Sequence, residues 1–564
     1  MLLGGRTLYV GATVVDGTGA PGYQADVKVR QGVVTGINRG GVRLAGGDPT
    51  GGDAGGGDAG GGEVRVVDAH GLVLAPGFID MHAHSDLAVL RGADHSAKIL
   101  QGVTTEVLGQ DGIGYAPVDD RVAPHVAQQI AGWNGAIAPE HFTWRTVDEY
   151  LDRMTGSLAA NAAVLVPQGN LRLLTVGTQN RSASDAQQRA MEGILDQALT
   201  EGAFGMSSGL TYAPGMFAST DELTRLCRVV ARHGGYWAPH TRSYGGGALA
   251  AYAEAIAIAR EAGCALHLTH ATMNFAPNRG RAGQLLELVD DALADGVDIT
   301  LDTYPYLPGA TTLSALLPSA LAADGDLREV LARMGPAQRE ALRVELEEVG
   351  CDGFHGEVAD WDAIQVAGVA NEDCAPFVGR TIAQIAQSRG ERAVDVVIDL
   401  LIADSLATSV LMHVGHEDNV RAIMRHPQHT GGSDGILIGG SPHPRGFGTF
   451  ARYLGHYVRE EAVLSLEEAI RHLSGAPARR LGLDRAERPR GVLREGACAD
   501  LVLFDPATIA DRAGLEGPRT PPVGVTEVAV AGTPVVIDGR VTGATPGTPL
   551  RRADALAGDV GTRH

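Results

Sequence analysis

The middle of the chain alternates short apolar runs with longer stretches in which apolar residues return every three or four positions. The runs are Gly77–His82, Val103–Leu108, Ala163–Pro167, Ala203–Ser207, Tyr236–His240, Leu266–His270, Ile299–Tyr304 and a last one ending near Ser433 and Asp434. Between them lie stretches such as Ala248–Ala262 and Gly283–Ala294. Short apolar runs read as strands buried on both faces, and the longer periodicity reads as helix. Strand and helix in alternation predict a parallel sheet. Eight such units fit an α/β fold of the TIM-like (β/α)8 type, whose functional groups gather at the C-terminal strand ends. The segment 71–484 is about 410 residues long, against roughly 250 for a plain barrel. Much of the excess falls at about 307–411. It is predicted as a mainly helical insertion before the last barrel strand, placed where it can cap the strand ends.

The two ends of the chain have a different rhythm. Residues 1–70 carry short alternating segments, Thr7–Val10, Ala25–Val29, Gly32–Ile37 and Glu63–Val67, punctuated by Gly and Asp. Residues 485–545 do the same at Ala499–Phe504, Val525–Ala531 and Pro534–Asp538. Period-two alternation predicts strands, and the pair of ends predicts one small β-sandwich domain built from both termini. The Gly/Asp/Ala tract at 40–62 cannot bury enough apolar surface to order itself, so it is predicted as a flexible surface loop.

Composition narrows the setting. At 564 residues the chain is too long for one ordinary core. An apolar fraction of 44% and a charged fraction of 20% are those of a globular protein. A formal net charge of −21 argues against nucleic acid or an anionic membrane as partner. No run approaches the roughly 18 apolar residues of a membrane span, and the N-terminal stretch lacks the basic and apolar regions of a secretory signal. Cys227, Cys264, Cys351, Cys374 and Cys498 are scattered and odd in number. They read as reduced thiols of a cytoplasmic protein. The partner expected is a small molecule, and a homo-oligomer stays open.

The residues closing the apolar runs carry the chemistry. The first run closes on His82 and His84, the second on Leu108-Gly-Gln-Asp111, the fifth on His240, the sixth on His270 and the eighth on Asp434. On a strand, residues i and i+2 face one side, so His82 and His84 are predicted to project together. A His-x-His pair alone is as readily two ordinary histidines as half of a metal site. Five of eight strands closing on imidazole or carboxylate predict a divalent metal centre at the barrel mouth, because these groups are ligands of zinc and its neighbours.

The text around these residues resembles the amidohydrolase superfamily and, within it, the D-aminoacylase (N-acyl-D-amino-acid deacylase) family. The matching motifs run nearly end to end: Ala75–His84, Gly102–Thr105, Ser207–Gly215, Asp302–Tyr306, Gly432–Gly435, His443–Phe450 and, near the C-terminus, Gly496–Asp505. The resemblance implies metal-dependent hydrolysis of the amide bond of N-acyl-D-amino acids, with zinc as the usual metal and one or two ions bound. By the same resemblance His82 and His84 belong to one metal position, His240 and His270 to a second, more tightly held one, and Asp434 is the general base, which can also touch the metal. Where such deacylases commonly carry a cysteine ligand after the second strand, this chain has Asp111. A carboxylate can replace a thiolate on zinc, is harder, and can bridge two ions.

Lysine content bears on the alternative, an amidohydrolase acting on a cyclic amide or a small dipeptide-like substrate. Hydantoinases and related members bridge two metals with a carboxylated lysine on the fourth strand. Lys28 and Lys98 are the only lysines here, and both precede the second strand. For the substrate's carboxylate the candidates are Arg242, Arg281, Tyr304 and Arg445. The resemblance favours Tyr304, with Tyr212 near it, and Arg445 is the arginine expected to bind the substrate beside them. A lysine often follows the sixth-strand histidine in the family. Here Ala271 and Thr272 follow, so the carboxylate grip is expected to differ.

Overall fold

The computed structural model describes residues 5–40, 64–323 and 326–556. Most of the Gly/Asp/Ala tract, 41–63, lies outside them. Eight parallel strands close a barrel. Phe78–Asp80 pairs with Val103–Leu108, which pairs with Asn161–Val164, and that stave continues as Val166–Pro167. Gly205–Gly209, Tyr236–His240, Ala265–Leu268, Ile299–Thr303 and His429–Gly431 follow in order. The seam closes where Met81 N–H donates to Gly431 O at 3.0 Å and Asp434 N–H donates to His82 O at 2.8 Å. Every residue of Val103–Leu108 and Tyr236–His240 is buried, as continuous apolar strands in a parallel sheet require.

The outer helices begin and end on local signals. Ser184 and Gln187 form a capping box at the start of Asp185–Thr200, and Ser219 accepts from Glu222 N–H at the start of Thr220–Arg232. Each such cap contributes about 1 kcal/mol. Ala248–Ala262 ends at Gly263, whose φ of 63° suits a residue without Cβ.

Strands from the two chain ends form one nine-stranded sheet. Val73–Pro76 joins the halves, pairing with Arg6–Val14 on one side and Leu501–Phe504 on the other. It leads directly into the first barrel strand. Arg6–Val14 itself pairs with three neighbours, so hydrogen bonding is continuous through the domain.

Between the seventh and eighth staves the chain builds helices, among them Pro336–Val344, Ile382–Arg389 and Ala393–Ala403. It also builds an antiparallel sheet of Gly309–Thr312, Ser409–Met412 and Ile364–Gly368, which the apolar pattern did not predict. This segment has its own core, including Leu316, Leu346, Phe354, Ile385 and Val397. Its loops reach over the C-terminal strand ends.

Candidate metal centre

Several strand ends depart from the simple pattern, and the departures form the site. His82 lies between two short strands, Phe78–Asp80 and Ala83–His84, because the backbone bends there. The two residues therefore do not share one straight strand, yet His82 Nε2 and His84 Nε2 stand 3.3 Å apart. The sixth strand stops at Leu268, two residues earlier than predicted, and the eighth stops at Gly431. Asp111, His270 and Asp434 all follow strand ends with positive φ, at 55°, 30° and 48°. Side chains in this region cost of order 1–3 kcal/mol each and persist where the surroundings over-determine them. Asp302 supplies part of that hold, since its Oδ1 accepts from His270 N–H at 3.0 Å. Gly112 follows Asp111 with φ of 74°, and a Cβ there would stand 2.2 Å from the backbone nitrogen of Gly209. Only glycine fits.

The carboxylate of Asp111 faces all four predicted histidines. Its Oδ1 is 3.6 Å from His82 Nε2 and 3.5 Å from His270 Nε2. Its Oδ2 is 3.5 Å from His84 Nε2 and 3.7 Å from His240 Nδ1. His240 Nδ1 and His270 Nε2 are 3.0 Å apart. Asp434 Oδ1 stands 3.2 Å from His84 Nε2 and 2.9 Å from Arg445 Nη2. Two groups thus form, His82–His84–Asp111–Asp434 and Asp111–His240–His270, with Asp111 common to both.

These groups fit a divalent cation. Two ligands on a tetrahedral ion with bonds near 2.1 Å lie about 3.4 Å apart, which is the spacing around Asp111 and too long for good hydrogen bonds. Asp111 Oδ1 and His82 Nδ1 are buried without a hydrogen-bond partner. Burial pushes the His84 imidazole down, but Asp111 and Asp434 outweigh it and raise it to about 10. The cavity favours positive charge. Burial likewise pushes the Asp434 carboxyl up, and the Arg445 guanidinium with the imidazoles more than offsets it, so Asp434 is held ionised.

Arg445 is fully buried, and its guanidinium lies 4.4 Å from the centre of the Tyr304 ring. Its backbone N–H donates to His443 Nδ1 at 2.9 Å. A pocket of about 70 Å³ holds Asp111, His240, His270, Asp434, Arg445, Tyr304 and Tyr212 on one wall. His82 and His84 do not line it; they touch the site through Asp111 and Asp434. Arg242 and Arg281 are elsewhere engaged. Arg242 pairs with Glu254 at 2.8 Å, and Arg281 donates to Gln284 from an exposed position. Neither lines the pocket.

Three pocket residues had not been singled out. Thr211 Oγ1 is 2.8 Å from His240 Nε2, and the Tyr244 ring meets those of His240 and His270 edge-on at 4.9 and 5.1 Å. His355 comes from the long segment after the seventh strand and packs 5.4 Å from Tyr244. Thr211 adjoins Tyr212 in a motif already noted, so it was within reach of sequence reasoning. His355 carries no local signal.

If Asp111, His240 and His270 hold a metal, His240→Ala is expected to copurify with much less of it than the unsubstituted protein while its circular dichroism is unchanged. Full metal content in the folded variant would overturn the assignment.

The profile of the amidohydrolase family matches residues 65–536. The chain belongs to this family. It is 33% identical to a D-aminoacylase of Alcaligenes xylosoxydans xylosoxydans over 552 residues, 97% of this chain and 98% of that one. An N-acyl-D-glutamate deacylase of the same organism is also 33% identical, over 548 residues and 97% of each chain. Among solved structures, the N-acyl-D-glutamate deacylase of Bordetella bronchiseptica superposes with a TM-score of 0.77 at 32% identity, covering 97% of this amidohydrolase and 99% of that chain. That crystal contains zinc and a phosphonate inhibitor described as a mimic of the tetrahedral intermediate of the reaction.

Proposed function

We propose that this amidohydrolase removes the acyl group from N-acyl-D-amino acids in a zinc-dependent hydrolysis. The observation that carries the reading is the pair of ligand groups sharing Asp111, with an ionised Asp434 and a buried Arg445 beside them. The length and identity of the match to two deacylases support it. A zinc ion bound by Asp111, His240 and His270, and a second by His82 and His84 with Asp111, would lower the pKa of water and polarise the acyl oxygen. Asp434 takes a proton from the attacking water at Oδ1 and delivers it to the departing amine nitrogen. Arg445 holds the substrate's carboxylate. Tyr304, stacked under the guanidinium, fixes its direction, and Tyr212 closes the pocket against Trp133 and His240, at ring separations of 5.0 and 4.8 Å. The thiols of Cys227, Cys264, Cys351, Cys374 and Cys498 are all free and buried, which supports a cytoplasmic setting. Among the described residues no helix is long and apolar enough to cross a membrane.

A screen of N-acetyl-D- and N-acetyl-L-amino acids, with metal analysis on the same sample, tests the proposal. Turnover is expected with D-substrates, is abolished by chelation and returns with added zinc. Hydrolysis of a dihydropyrimidine or hydantoin with none of an N-acyl-D-amino acid would overturn it in favour of the cyclic-amide reading. Lys28 and Lys98 are the only lysines of the chain, and the Lys98 ammonium is taken up by Asp80 and Ser433, which weighs against that alternative.

A further inference from the structure

We infer that this enzyme is selective for N-acyl-D-amino acids with a single carboxylate and a bulky uncharged substituent, and that it discriminates against N-acyl-D-aspartate and N-acyl-D-glutamate. The inference rests on the deacylase reading and concerns what the site accepts beside the reacting amide. Overall identity does not decide this, because the D-aminoacylase and the glutamate deacylase are equally similar at 33%.

Size comes first. The pocket at the ligand groups is small, about 70 Å³, well under the roughly 300–1,000 Å³ of small-molecule sites. A second cavity of about 460 Å³ adjoins it, and Thr211, Tyr212, Ala315 and Gly353 line both. That volume lies within the roughly 300–1,000 Å³ of small-molecule sites. A long substituent on the substrate passes Tyr212 and enters this outer cavity.

Charge decides what the substituent is. Among the described residues lining the two cavities, Arg445 is the single lysine or arginine. It is fully buried, faces Asp434 through Nη2 at 2.9 Å, and has Nε and Nη1 without a hydrogen-bond partner, so it has donors for one further carboxylate. The formal charges of the outer cavity are carboxylates. Asp326 accepts from Glu329 N–H at 3.1 Å and Asp352 from Ser319 N–H at 3.0 Å. The rest of the outer wall includes Ile113, Trp133, Met216 and Leu317. A second carboxylate on the substrate meets apolar surface and like charge, with no partner to offset its desolvation.

The test compares kcat/KM on the zinc-loaded enzyme along two arms. One varies the side chain, from N-acetyl-D-alanine to N-acetyl-D-leucine, N-acetyl-D-phenylalanine and N-acetyl-D-glutamate. The other varies the acyl group, from N-acetyl- to N-octanoyl-D-alanine. N-acetyl-D-leucine is expected to exceed N-acetyl-D-glutamate by about 10²-fold or more, the scale of one unpaired buried charge. At least one arm rises with apolar bulk, and the arm that rises names the substituent the outer cavity holds. Gln128→Arg, an exposed substitution on the cavity wall, is expected to narrow the leucine-to-glutamate ratio by about tenfold. Glutamate equal to or better than leucine, or no gain along either arm, overturns the inference while leaving the deacylase reading intact. Failure of every N-acyl-D-amino acid overturns that reading instead.

Discussion

Asp434→Asn is expected to lower kcat by about 10²–10⁴-fold, the usual contribution of general acid–base catalysis, with zinc content and melting temperature near those of the unsubstituted enzyme. Asparagine keeps the shape of the side chain, and its amide oxygen still faces Arg445. It cannot take the water's proton. The backbone at this position does not depend on the carboxylate, because Asp434 N–H is held by His82 O at 2.8 Å and Ser433 N–H by Asp80 Oδ1 at 2.8 Å. Metal persists because the Asp111–His240–His270 group does not include Asp434. A primary ligand would behave otherwise, with metal and activity lost in parallel and restored together by added zinc. A structural carboxylate would lower the melting temperature and leave turnover per folded molecule unchanged. Measuring kcat, zinc and melting temperature on one preparation separates these outcomes, and a variant within tenfold of the unsubstituted kcat ends the role proposed for Asp434.

The barrel and its closing residues were legible because both are written locally. A buried parallel strand is a short apolar run, and the residue after it is the one that reaches the mouth. The backbone at the mouth was not legible in the same way. Asp111, His270 and Asp434 adopt left-handed conformations that no propensity favours strongly; contacts from distant segments, such as Asp302 with His270, impose them. The antiparallel sheet after the seventh strand escaped for a related reason. Gly309–Thr312 and Ser409–Met412 are short, and their pairing joins residues about 100 positions apart in sequence. Choosing among arginines needed three dimensions too. Arg242, Arg281 and Arg445 have the same chemistry, but Glu254 neutralises the first, Gln284 engages the second away from the pocket, and only the third is buried at the pocket. His355 shows the limit most plainly, since its place depends wholly on how a separate core docks over the barrel.

Lys98→Met is expected to destabilise the protein by about 3–5 kcal/mol, the scale of removing one partner from a buried ion pair. Lys98 Nζ, Asp80 and Ser433 are all fully buried. The ammonium donates to Asp80 Oδ2 at 2.5 Å and also to Ser433 Oγ. Gly435 leaves room for it, since a Cβ there would lie 2.9 Å from Nζ. Removing the ammonium leaves the Asp80 carboxylate in the core without its cation. Asp80→Asn in the same chain removes that charge, so the double variant is expected to cost less than the sum of the singles by about 0.5–3 kcal/mol. The exposed pair Arg228–Glu261 at 2.7 Å serves as a control, expected to contribute about 0–1 kcal/mol. Function is tied to the same knot. Asp80 Oδ1 accepts from the backbone N–H of both His82, at 3.2 Å, and Ser433, at 2.8 Å, the neighbour of Asp434. Loosening it moves His82 and Asp434 together, and a shift of about 1 Å at a reacting group costs of order 10²-fold. Turnover per folded molecule of Lys98→Met should therefore fall well beyond the lost folded fraction. A destabilisation under about 1 kcal/mol, or strictly additive singles, would show that Lys98 is not the cation on which Asp80 depends.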